Sequence, residues 1–158
     1  MSTSITTFLT YDTQAEEAAQ LYTSLLEGKI TETMRYPAGG PKPEGSVLSV
    51  TFELLGRPYI ALNGGPTFAF SPGFSLMVQV DTQAEIDRLW AKLTANGGKE
   101  VRCGWLVDKF GMSWQIVPEQ LFGMLADKDR AKSGRAMQAM MGMQKLDLAK
   151  LQSAFGGV

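Results

Sequence analysis

Asn63 and Gln115 are the side chains whose type and setting best suit recognition of a small polar group. Each lies near the end of a run that alternates as a strand does. A neutral amide offers a donor and an acceptor together, without the desolvation cost of a charge. Such amides have two uses: contacting a ligand, or satisfying neighbouring backbone groups. Phe68 and Phe70 follow Asn63 in the segment Asn63-Gly64-Gly65-Pro66-Thr67-Phe68-Ala69-Phe70. They could line a lid over a ligand or anchor a connector to the core. For acid/base work the candidates are Tyr11, Tyr59, Asp108 and Glu53, and nothing in their spacing brings them together as paired roles demand. Cys103 is the single cysteine, and a reactive thiol needs a charged partner held in space; a buried, inert thiol is the plainer expectation.

The chain of 158 residues contains no histidine. Histidine is the commonest metal ligand and the usual acid/base group near neutral pH, so Ser-His-Asp and Cys-His systems and His-containing metal sites are excluded. The composition, 44% hydrophobic and 20% charged, is that of a globular protein. A net charge of −1, with no long basic run, argues against nucleic acid or a membrane surface as partner. No apolar stretch approaches the roughly 20 residues of a membrane span, and no signal-peptide core precedes the first predicted strand. A reduced, cytoplasmic protein is expected.

The elements that must position these residues come in two sets. Asp12-Thr13-Gln14-Ala15-Glu16 recurs letter for letter as Asp81-Thr82-Gln83-Ala84-Glu85. Each copy follows a strand-like run (5–11 and 74–80) and opens a helical one, with Asp12 or Thr13 as the expected N-cap of the first. Ala18, Leu21, Tyr22, Leu25 and Leu26 give helix 14–27 its apolar face; Ile86, Leu89, Trp90 and Leu93 do so for helix 82–95. Gly28-Lys29 and Gly98-Lys99 end them. Strands are predicted over 29–36, 46–54 and 58–62, and again near 99–103, 105–108 and 112–117. The order is βαβββ twice, over about 3–66 and 73–118. Residues 119–158 form a helical tail with Met124, Met137, Met140, Met141 and Met143, an adaptable stripe suited to covering a surface.

The motifs Ala61-Leu62-Asn63-Gly64-Gly65-Pro66, Cys103-Gly104-Trp105-Leu106 and Asp108-Lys109-Phe110-Gly111-Met112-Ser113-Trp114-Gln115-Ile116-Val117-Pro118 resemble the PhnB-like group of the vicinal oxygen chelate (glyoxalase/bleomycin-resistance) superfamily. That group often carries the name 3-demethylubiquinone-9 3-methyltransferase. The resemblance implies an α+β fold over 1–118 whose two βαβββ modules have curved sheets enclosing a cavity, a homodimer in many members, and amides Asn63 and Gln115 on inward strand faces. It also implies where a metal would be held in metal-dependent relatives. Those positions map onto Ile5, Ile60, Phe74 and Gln115 here. Three are apolar, and Gln115 alone cannot hold a transition metal that needs about three or four protein ligands. No cofactor is therefore expected. A methyltransferase would need a glycine-rich turn opening a helix, whereas Gly64-Gly65-Pro66 precedes no helical pattern. The expectation is a metal-free, small-molecule-binding homodimer with Asn63, Gln115, Phe68 and Phe70 at the ligand. The alternative is a glyoxalase- or dioxygenase-like enzyme with an atypical metal site.

Overall fold

A computed structural model describes residues 2–158. The chain divides into two compact units, Met1–Ala69 and Phe70–Val158. In the first, β1 (Thr7–Tyr11), α1 (Ala15–Leu25), β2 (Gly28–Arg35), β3 (Val47–Leu54) and β4 (Arg57–Asn63) follow one another, and the sheet order is β1-β4-β3-β2. In the second, β5 (Ser75–Val80), α2 (Gln83–Thr94), β6 (Lys99–Glu100), β7 (Trp105–Val107) and β8 (Ser113–Pro118) give the order β5-β8-β7-β6. Both are βαβββ modules of one topology, and the fold is α+β.

The repeat extends to register. In each module the first strand runs parallel to the last, with Phe8 beside Ile60 in one and Met77 beside Gln115 in the other. The same bond closes both pairs: the Gly64 amide donates to the Tyr11 carbonyl at 2.8 Å, and the Glu119 amide to the Val80 carbonyl at 2.9 Å. A one-residue slip would reverse every side chain across the sheet, so matched registers place equivalent positions on equivalent faces.

Alternation assigns one face of each sheet to its helix. Leu9, Tyr11, Val50, Phe52, Tyr59 and Ala61 are buried in the first module, with Ala15, Ala18, Ala19 and Tyr22 of α1. Small residues on α1 leave room for the aromatic layer, in which Phe52 stacks on Tyr59 at 5.4 Å and Tyr22 tilts against Phe52 at 6.4 Å. The buried Tyr11 hydroxyl donates to that of Tyr22 at 3.1 Å. In the second module Val78, Val80, Leu106, Trp114 and Ile116 are buried, as are Ile86, Leu89, Trp90 and Leu93 of α2, the four inward positions predicted by periodicity. Full burial of such side chains contributes about 1.5–3 kcal/mol each.

Three local expectations are corrected. Neither Asp12 nor Thr13 caps α1: Gln14 occupies the N-cap without a side-chain bond, and Asn63, arriving from β4, accepts the Ala15 amide at 2.8 Å instead. Thr82 does cap α2, accepting from the Glu85 amide at 3.3 Å. The strand predicted near 99–103 is only two residues long, because the chain turns at Cys103 (φ 59°) and Gly104 (φ 83°). Cys103 is half-buried in that turn rather than sealed in a core.

The tail forms α3 (Gln120–Leu125), α4 (Arg130–Met141) and α5 (Leu148–Gly156). Asp129 caps α4 and Asp147 caps α5 through their carboxylates. Leu121, Met124, Ala136, Leu146 and Leu151 bury a core of their own with Val117 of β8, and Met140 and Met143 pack on it. The Cys103 and Gly104 amides donate to the Met143 and Gln144 carbonyls, both at 2.8 Å. A side chain on Gly104 would meet the Ile116 carbonyl at 2.9 Å and Leu146 at 3.0 Å; only glycine fits there.

Candidate functional site

The structure places Asn63 and Gln115 in different modules and in different local roles. Asn63 ends β4, half-buried. Its Oδ1 accepts the Ala15 amide, and its Nδ2 donates to the Val47 carbonyl at 3.1 Å. One side chain thereby ties the start of α1 to the start of β3, which makes Asn63 a bracket between elements. It also forms part of the wall of a cavity of about 310 Å³, whose other contributors include Asp12, Glu16, Tyr36, Lys42 and Val47. Its amide groups are thus turned to the backbone at the edge of that space. Phe68 is 57% exposed and packs against the bare Cα of Gly64, where an added Cβ would come within 3.1 Å of its ring. Phe70 is half-buried and opens the second unit. No helix follows Gly64-Gly65-Pro66 before β5 begins at Ser75, so the turn lacks the helix that a nucleotide-type cradle requires.

Gln115 lies on the sheet face opposite α2. The register runs Met77, Gln115, Trp105 across β5, β8 and β7, and neighbours across strands share a face. Met77 is 43% exposed, and Gln115 and Trp105 are half-buried. Gln115 Nε2 donates to Ser75 Oγ at 3.0 Å, which orients its amide along the strand pair. The face is thus mixed: Met77, Trp105 and Val117 are apolar, Gln79 is exposed beside them, and the Gln115 amide is oriented by Ser75. The equivalent row of the first module is Phe8, Ile60 and Thr51, with Phe8 54% exposed.

The metal positions implied by the resemblance are occupied by Ile5, Ile60, Phe74 and Gln115; Ile5 is 92% and Phe74 47% exposed. The aliphatic and aromatic side chains of Ile5, Ile60 and Phe74 have no lone pair to donate, and the Gln115 amide alone cannot hold a divalent metal, so these residues do not fit one. Among the described residues no three His, Cys, Asp or Glu side chains cluster in a way that could hold one. The acid/base candidates are likewise committed elsewhere. Asp108 is 2% exposed and accepts from the amides of Phe110 (2.9 Å) and Met112 (3.0 Å) and from Trp114 Nε1 (2.9 Å). Tyr11 and Tyr59 belong to the first core, where burial pushes the Tyr59 phenol above its ordinary range, a shift that Arg57 partly opposes. Glu53 pairs with Lys29 at 3.7 Å.

A model of the family described as 3-demethylubiquinone-9 3-methyltransferase matches residues 3–117. The chain belongs to that family. A Bacillus cereus PhnB protein, itself described as a 3-demethylubiquinone-9 3-methyltransferase, is 36% identical with a TM-score of 0.67, covering 73% of this chain and 99% of its own. Protein PA1353 from Pseudomonas aeruginosa is 22% identical with a TM-score of 0.61, over 75% of this chain and 98% of its own. The fosfomycin resistance protein FosX from Mesorhizobium loti is 12% identical with a TM-score of 0.56, over 80% of this chain and 99% of its own. The last two share the fold. Among curated proteins none matches the sequence.

Two groups escaped the sequence reading. Asp12, Tyr36 and Lys42 share a cavity with Asn63; the available signal was Lys42 held between Pro41 and Pro43 in the loop over 37–45. Gln83, in the second copy of the pentapeptide, binds the tail at both ends of its amide, donating to the Leu146 carbonyl at 3.1 Å and accepting the Leu148 amide at 2.8 Å. Nothing local distinguishes it from Gln14.

Proposed function

We propose that this PhnB-like protein is a metal-free homodimer that binds a small, largely apolar molecule on the open sheet faces, with Gln115 reading the molecule's polar edge. The observation that carries this reading is the row Met77, Gln115, Trp105, in which an amide oriented by Ser75 lies between two apolar side chains on the face opposite α2. Binding sites commonly combine apolar walls with a few placed polar groups. The apolar positions at Ile5, Ile60 and Phe74 support the metal-free part. The exposed Phe8 and Met77 support a dimer, since an apolar face of this kind is covered in most proteins. Phe68 and Phe70 stand as further proposed contacts; Asn63 faces the cavity beside α1 with its amide spent on the backbone, and is not part of the sheet-face site. No helix among the described residues is long and apolar enough to cross a membrane, and a single half-buried thiol suits a reducing, cytoplasmic setting. The methyltransferase in the family's name has no glycine-rich strand–helix turn to stand on.

Native mass spectrometry of protein purified without added metal tests this reading. The expected spectrum shows two chains carrying a small organic molecule. Gln115→Leu should leave the melting temperature nearly unchanged and weaken retention by about 0.5–1.5 kcal/mol, one neutral hydrogen bond. A tight transition-metal site, one per chain and lost in Gln115→Ala, would overturn the metal-free reading. If Gln115→Leu instead lowers stability by about 2 kcal/mol or more, with retention intact, the amide is a strut for Ser75.

A further inference from the structure

The cavity beside Asn63 lies wholly within the first unit, on the helix side of its sheet. It lies between the start of α1 and the loop joining β2 to β3, with the end of β4 as its floor. That loop is fixed in place. The Tyr36 amide donates to the Ser46 carbonyl at 2.9 Å and the Gly45 amide to the Tyr36 carbonyl at 3.0 Å. Ser46 Oγ reaches the Pro43 carbonyl at 2.6 Å and Arg35 Nη1 the Gly45 carbonyl at 3.0 Å. Pro37, Pro41 and Pro43 further limit its freedom. The space exists before any ligand arrives, and at about 310 Å³ it suits a molecule of amino-acid size.

Its charges are of both signs and largely unspent. The side chains of Asp12, Tyr36 and Lys42 make no hydrogen bond or ion pair with the described residues. Glu16 has only a long contact, 3.9 Å, with Arg35. Asn63 is committed to the backbone and is fixed as floor. The cavity therefore offers two carboxylates and one ammonium around an apolar wall of Tyr36, Pro43 and Val47. A lone cation would meet Lys42, and a lone anion would meet Asp12 and Glu16; a molecule carrying both charges satisfies all three.

The second module repeats the helix start but lacks the cavity's other walls. The Asp81 carbonyl accepts from Gln120 Nε2 of the tail at 2.9 Å, where the Asp12 carbonyl accepts from the Gly65 amide at 3.3 Å, so the tail stands at this place in the second module. The turn between β6 and β7 is only Val101-Arg102-Cys103-Gly104, and the tail backbone is bonded to it. A feature needed only for folding a βαβββ unit would be found in both copies.

We propose that this first-module cavity binds a small zwitterion, with its ammonium group held by Asp12 and Glu16 and its anionic group by Lys42, independently of the sheet face. The test is a 1H–15N titration of the full chain with β-alanine and 4-aminobutyrate, beside butylamine and butyrate, which each lack one charge. The expected result is saturable shifts at the amides of Asp12, Ser46 and Gly65 with a zwitterion, and weaker shifts with either control. Asp12→Asn and Lys42→Met, both at exposed positions, should each weaken the zwitterion by about tenfold, the loss of one charge-assisted hydrogen bond. Gln115→Leu should change nothing. The proposal fails if neither zwitterion gives saturable shifts. It also fails if butylamine matches 4-aminobutyrate and Lys42→Met is silent, or if the shifts centre on Met77 and disappear in Gln115→Leu.

Discussion

Asp108 shows how a residue with catalytic chemistry can be wholly absorbed by folding. Its two carboxylate oxygens receive the amides of Phe110 and Met112 and the indole nitrogen of Trp114, and they close the turn that leads into β8. Trp114 is the largest of the fully buried side chains, so its N–H has no water to turn to. Asp108→Ala should destabilise the protein by about 3 kcal/mol, since it leaves buried donors unpaired. Urea unfolding should show a lowered midpoint with little change in slope. Asn63 makes the same point for the first module. Asn63→Ala removes the partner of the Ala15 amide and should cost about 1–2 kcal/mol, the usual range for a lost helix cap. An unchanged midpoint would mean that water replaces it. Neither role was legible in the sequence. Asp108 and Trp114 are close enough in the chain to suggest a turn, but the cap on α1 comes from a residue far along the chain, and no local rule points to it.

At the scale of elements, periodicity did most of the work. The apolar stripe of α2 and the strand alternation of β3, β4, β5 and β8 appear where their patterns place them, because a long amphipathic run has few ways to bury one face. Strand β6 is shorter than its composition suggests, because Val101-Arg102-Cys103 keeps strand-like composition while its backbone turns to meet the tail. The tail was legible as helical and Met-rich, but not as three helices pinned by Gln83 and by the ion pair between Lys145 and Asp87 at 2.7 Å. The hydrogen bond from Lys145, then that from Gln83, holds the Asp87 carboxyl below its ordinary range. A depressed carboxyl stabilises the folded form above the ordinary range, and that contribution is lost as pH falls through the folded value. Acidification below about pH 4 should therefore weaken hydrogen-exchange protection at Leu148, whose amide bonds Gln83. Asp87→Asn should remove that pH dependence, and Gln83→Ala should lower the protection at every pH. Equal acid sensitivity in Asp87→Asn would place the titrating group elsewhere.

For the whole molecule, the repeat is the feature that sequence alone made plain, and the structure extends it to identical strand order and identical register in both modules. What distinguishes the modules is what each adds: a proline-rich loop and its cavity on the first, three helices on the second. The added helices bury Val117 and cover one end of β8, but they leave Met137 and Met141 exposed on α4 and do not remove the exposure of Met77. Two kinds of apolar surface thus remain on one chain, and a homodimer would have to choose between them. Sedimentation velocity over a range of concentrations should show a dimer at micromolar protein. Met77→Glu, which sets a charge on the open face beside Gln115, should shift that equilibrium toward monomer by about tenfold or more, because burying an unpaired carboxylate at an interface costs well over the 1.4 kcal/mol that this factor represents. Met141→Glu, placed on the tail, should leave the dimer intact. The reverse pattern would assign the interface to the Met-rich helix and leave the sheet faces open to ligand alone. A monomer in the unsubstituted protein would mean that the open faces are covered within the chain or by the bound molecule itself.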